Sequence, residues 1–202
     1  MKFAKLIAAL GMVFTGGFAQ AQLSIDTPSS SFSFSGYDGQ PATVTGTLSS
    51  GIHGTLWANA AGTATFTYLG QESGYANLFK FSVGSQSLTE GNNVGDFISG
   101  MVGAGALSFS FDTVSPAGSF ANGTLAGNAR MVYVANKVTT AGTFDYVIGF
   151  NDSCACDGDY DDFVVGVKFA NAVPEPETYA MLLAGLGLLG FAARRRKLKL
   201  AA

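Results

Sequence analysis

The strongest constraint on this chain is a two-residue alternation of large apolar residues with small or polar ones. Phe32 and Phe34 alternate with serine, and Phe66 and Tyr68 with threonine. Phe79, Phe81 and Val83 share one parity, and so do Leu107, Phe109 and Phe111. The same holds for Phe144, Tyr146, Ile148 and Phe150, and for Phe163, Val165, Val167 and Phe169. Successive side chains of a strand point to opposite faces, so each run has one apolar face as a strand and none as a helix. Glycine-rich breaks separate the runs, and no helical stripe occurs between residues 22 and 172. Gly, Ser, Thr, Ala and Asn otherwise fill this region, a composition that without the alternation would suggest disorder. The pattern predicts an all-β fold, an antiparallel β-sandwich of jelly-roll type with about nine or ten short strands. Its core would be aromatic. Residues 85–105 and 115–127 read as loops, and the absence of a fixed-period repeat disfavours a propeller or solenoid.

The two ends have a different character. Lys2 and Lys5 precede an apolar run at 6–14 and Ala19-Gln20-Ala21, the layout of a secretory signal peptide cleaved after Ala21. At the other end, Pro174-Glu175-Pro176 is followed by an uncharged stretch at 179–193 and then by Arg194-Arg195-Arg196-Lys197 and Lys199. As a helix that stretch is roughly 22 Å long at about 1.5 Å per residue. That is short of the ~30 Å bilayer core. With local thinning it reads as a single transmembrane helix at about 178–193, with the basic end 194–202 in the cytoplasm. The chain thus divides into a signal peptide (1–21), a β-sandwich domain (22–172) and a tail (173–202). Gly185, Gly187 and Gly190 match a dinucleotide-binding spacing, but neither a preceding strand nor a later acidic residue supports it.

Net charge argues against nucleic acid as a partner of the body. Lys80, Arg130, Lys137 and Lys168 stand against Asp26, Asp38, Glu72, Glu90, Asp96, Asp112, Asp145, Asp152, Asp157, Asp159, Asp161 and Asp162. Four cations against twelve anions give −8, whereas phosphate recognition needs clustered Lys and Arg.

The run Val173-Pro174-Glu175-Pro176-Glu177-Thr178-Tyr179 through Arg194-Arg195-Arg196 resembles the PEP-CTERM sorting signal of Gram-negative bacteria. A similar tail is also labelled the C-terminal domain of an ice-binding protein. The resemblance implies processing by an exosortase near Pro174, Glu175 and Pro176. It also implies delivery through the membrane to the cell surface or the extracellular polysaccharide. The stretch 65–79 is similar to a pattern in the bodies of other such proteins, and places Glu72 and Asn77 in or beside a turn.

One segment of the body has the composition of a chemical site. Asn151-Asp152-Ser153-Cys154-Ala155-Cys156-Asp157-Gly158-Asp159-Tyr160-Asp161-Asp162 crowds carboxylates between two of the clearest strands and contains no cation. Calcium, which takes 6–8 oxygens, suits such a set. Asp152, Asp157, Asp159, Asp161 and Asp162 are the candidate ligands, with a solvated acidic turn as the bland reading. Asp157, Asp159 and Asp161 have the spacing that opens an EF-hand, but Asp162 and Lys168 stand where that loop needs Gly and Glu. The segment also resembles a Gly-Phe-Glu-Asp…Asp-x-Asp-Tyr-Asn-Asp pattern of secreted bacterial β-domains, which is associated with calcium. Cys154 and Cys156 suit either a small disulfide of the exported protein or an intermolecular one.

Catalysis has little support. His53 is the only histidine, and no serine or cysteine context marks a nucleophile. A glycosidase needs two carboxylates across a cleft, and nothing selects a pair, so a secreted glycan-active enzyme is the minor reading. Trp57, Tyr75 and Tyr160 are the aromatic candidates for stacking on sugar. The expectation is a non-enzymatic surface or matrix protein with a structural or adhesive role in extracellular polysaccharide or biofilm. The alternative is a calcium-dependent, lectin-like carbohydrate-binding module.

Overall fold

The computed structural model describes residues 23–33, 50–114, 117–124, 131–152, 160–172 and 176–199. The strands are β1 (Leu23–Ser33), β2 (Ser50–Ala58), β3 (Gly62–Gly70), β4 (Asn77–Phe81), β5 (Gln86–Thr89) and β6 (Phe97–Val102), followed by β7 (Gly105–Ala106), β8 (Phe109–Val114), β9 (Ala117–Ala121), β10 (Met131–Thr139), β11 (Gly142–Phe150) and β12 (Phe163–Asn171). A helix, α1 (Pro176–Lys199), follows them.

The strands form two antiparallel sheets. The larger runs β1-β2-β10-β11-β12-β3-β6, with β7 added on β2, and the smaller runs β5-β4-β8-β9. The expected all-β, antiparallel architecture is present, but the nine or ten strands give way to twelve among the described residues. The sheets are unequal, with eight strands and four, and half of the neighbouring pairs join strands that are not consecutive in the chain. The loops expected at 85–105 and 115–127 also give way, because β5, β6 and β9 lie there. These strands are short and border the sheets, so burial on one side marks them only weakly.

Alternation dictates the shared core. Phe66 from the large sheet inserts among Phe79, Phe81 and Phe109 of the small one, with ring centroids 4.8, 4.9 and 5.4 Å away. Phe111 stacks on Phe150 at 4.7 Å and 6° and meets Phe163 edge-on at 5.9 Å. Such tilted and offset pairs contribute beyond the area they bury.

Phe144 departs from the expected face. It packs with Leu69, Val147 and Val164 in a separate cluster, away from Ile148 and Phe150. Lys137 of β10 pairs with Phe144, and its neighbour Asn136 adopts φ 53°. Gly166 accommodates the displaced ring, since a Cβ there would lie 2.6 Å from it.

The expected transmembrane helix is also corrected. α1 forms, but among the described residues no helix is long and apolar enough to cross a membrane. The uncharged stretch is too short, and the helix continues into the basic cluster ending at Lys199. Met181, Leu183, Leu188 and Leu189 on it are exposed.

Candidate functional site

The site lies where the two sheets meet at one end. β3 leaves the large sheet at Gly70, and the chain crosses through residues 71–76 to open β4 of the small sheet at Asn77. This crossing lies against both ends of the connection between β11 and β12. Glu72 N donates to Asp161 O at 3.1 Å, and Phe150 bridges Asp161 in parallel.

The acidic residues at these ends are interior. Asp152 is 4% exposed and Asp161 0%, while Asn151 and Tyr160 are also buried. Buried charge requires partners. Asp152 Oδ2 accepts from Ser73 Oγ and from Asn77 Nδ2, both at 2.5 Å. The backbone N of Asp152 donates to Asp162 Oδ2 at 2.7 Å, which closes the connection on itself. Asn77 N donates to Glu90 Oε1 at 2.6 Å, so a carboxylate just beyond β5 joins the group from the small sheet. Burial raises the Glu90 pKa, the Asn77 N–H opposes this, and the Asp152 charge raises it further. Burial and then Glu90 raise that of Tyr68. The local field is negative.

Asn77 Oδ1 and Gln71 Oε1 are buried oxygens without a donor. Asn77 is 3% exposed, so water does not readily compensate its carbonyl. Among the described residues no three acidic, histidine or cysteine side chains are grouped so as to hold a metal ion. Any oxygen-based cation site at this position must therefore use amide oxygens as well as carboxylates.

Of the residues singled out from the sequence, the structure gathers Asp152, Asp161 and Asp162. Asp157, Asp159, Cys154 and Cys156 lie outside the described residues, as do Ala21, Pro174 and Glu175. Pro176 opens α1, a first-turn position that suits a residue without an N–H. Glu72 is exposed and contributes only its backbone, whereas Asn77 is central. Sequence reasoning missed Gln71, Ser73 and Glu90. The patterned 65–79 turn contains Gln71 and Ser73, and no sequence signal pointed to Glu90.

The other candidates separate. His53 is buried, with Nδ1 2.7 Å from Met131 O. Since a carbonyl only accepts, that nitrogen donates. Burial lowers the His53 pKa, opposed by this bond. Its ring lies 5.9 Å from Tyr160, which is buried, whereas Trp57 and Tyr75 are 37% and 49% exposed.

The outer face of the small sheet holds an open groove of about 590 Å³ lined by Lys80, Ser82, Ser87, Ser108, Ser110 and Ser119, among others. Lys80 Nζ pairs with Asp112 Oδ2 at 2.5 Å, and Ser110 and Ser119 donate to Asp112 Oδ1. This network is internally satisfied.

Neither the curated proteins nor the solved structures give a match to this chain. The body thus stands on its own geometry, and the tail carries the relationship. Residues 172–197 match the PEP-CTERM protein-sorting motif, and the chain is accordingly an exported protein sorted to the cell surface by an exosortase.

Proposed function

We propose that the protein is a structural or adhesive component of the extracellular polysaccharide or biofilm of the cell that exports it. The observation that carries this reading is the attachment of a sorting tail to a β-domain whose last strand is tied back into it. The last strand ends at Asn171, and Ala172 N is tied back to Ala61 O at 3.1 Å. Processing near Pro174, Glu175 and Pro176 would then leave the β-domain's hydrogen bonding intact. The exosortase is the implied processing partner, and exopolysaccharide the proposed lasting one.

A second reading, a calcium-dependent lectin-like module, is favoured by the buried acidic group between the sheets and by the exposed Trp57 and Tyr75. Retention of the purified chain on the producer's exopolysaccharide, in calcium and in chelator, separates the two. Retention in both supports the adhesive role, and retention only in calcium supports the lectin. Loss in both, or release of reducing ends, would count against the whole non-enzymatic proposal.

A further inference from the structure

We infer that a calcium ion binds between the two sheets, held by the Asp152 carboxylate and by the side-chain oxygens of Asn77 and Gln71. This deepens the calcium-dependent reading above. It differs from the site expected in the 151–162 segment because one of its ligands, Gln71, comes from the crossing between β3 and β4 and another, Asn77, opens β4. Three observations support it. Asn77 Oδ1 and Gln71 Oε1 are buried acceptors without donors, and a cation satisfies such atoms where a further N–H is lacking. The Asn77 amide is already fixed against Asp152, with Nδ2 2.5 Å from Oδ2, so its oxygen is held at the same cluster. Glu90 meets the backbone N–H of Asn77 at 2.6 Å and adds negative charge that no ion pair with Lys or Arg offsets among the described residues.

The donor set selects the ion. It mixes carboxylate with amide carbonyl oxygen and offers neither sulfur nor imidazole, as hard cations require. Calcium accepts irregular sets of 6–8 oxygens, whereas magnesium demands near-ideal octahedral geometry. The ion would join Asn77 of the small sheet to Asp152 at the end of β11 in the large one. It is therefore a fastener between sheets. The alternative is that protons neutralise the group, with Asn77 serving only as a donor to Asp152.

Substitutions at Asn77 distinguish the two, because its backbone bond to Glu90 survives them. The purified full chain is titrated with calcium chloride, with melting temperature and isothermal calorimetry as readouts. At a hundredfold excess over Kd the melting temperature rises by roughly 5–10 °C. Asn77→Ala weakens binding about tenfold or more, and Gln71→Ala, at a half-buried position, weakens it severalfold and serves as the check if Asn77→Ala does not fold. Asn77→Asp reverses sign with conditions. In chelator it places a like charge against Asp152 and lowers the melting temperature, whereas in saturating calcium it supplies a ligand and restores it. An equal loss in both conditions overturns the inference, as does a wild-type chain without a calcium response. Unchanged affinity in both Asn77→Ala and Gln71→Ala places any bound ion elsewhere and also overturns it. Polysaccharide retention is a separate readout, so failure of the lectin reading leaves this result standing.

Discussion

Replacing Phe66 with alanine tests whether the two sheets share one core. Phe66 is 0% exposed and is the large-sheet ring that meets Phe79, Phe81 and Phe109 at 4.8, 4.9 and 5.4 Å. Withdrawing a fully buried Phe forfeits about 1.5–3 kcal/mol of transfer free energy. A cavity term adds to this, because the surrounding rings are fixed on β4 and β8 and cannot collapse into the space. The expected loss is about 4 kcal/mol, within the ~3–5 kcal/mol typical of Phe→Ala in cores. That is a large part of a domain's total stability of roughly 5–15 kcal/mol. Equilibrium urea unfolding followed by circular dichroism measures it, with the slope unchanged if the unfolded state is unaffected. Phe97 on the border strand β6, 65% exposed, is the internal control, and Phe97→Ala should change stability by no more than about 0.5 kcal/mol. A Phe66→Ala loss below about 1 kcal/mol would refute the shared core.

Three further predictions concern the large sheet. His53 has its pKa lowered from 6.5 by burial, so its contribution is present above pH ~6.5 and is lost as pH falls through the folded value. The melting temperature of the wild-type chain should drop between pH 7 and 5, and His53→Gln should flatten that slope, whereas an unchanged slope assigns the effect to another group. Gly166→Ala would set a Cβ 2.6 Å from the Phe144 ring, and thermal unfolding should report a cost of about 1–3 kcal/mol. Asn136, at φ 53°, should tolerate glycine almost neutrally, because relief of strain is offset by added freedom of the unfolded chain, whereas Asn136→Val should cost about 1–3 kcal/mol.

The strands legible in the sequence were those with large residues on one parity and burial on that side, such as β4, β8 and β12. β5, β6 and β9 were not, because Gly, Ser and Asn dilute their pattern and each borders a sheet or turn. Parity failed at the start of β11, where Phe144 packs with Leu69, Val147 and Val164 and lies over Gly166, which has no side chain to exclude it. The acidic segment was visible as crowded charge, yet the burial of Asp152 and Asp161 was not, since it arises from the crossing at residues 71–76 laid against them. Asn77 and Glu90 are remote in sequence from Asp152, and only the meeting of the sheets brings them near it. The tail was the clearest segment to read, because a sorting signal is recognised as a linear sequence. Its transmembrane character did not hold, because hydropathy without length does not make a span.

The central claim is that the tail places this β-domain at the cell surface. Its most direct test compares the full chain with one ending at residue 172, both expressed in the exporting cell and followed by fractionation into cells, surface polysaccharide and medium. The account predicts that the full chain accumulates in the surface and polysaccharide fractions, and that the shortened chain passes into the medium. Identical distribution of the two would contradict it, because the sorting signal would then have no part in where the protein resides.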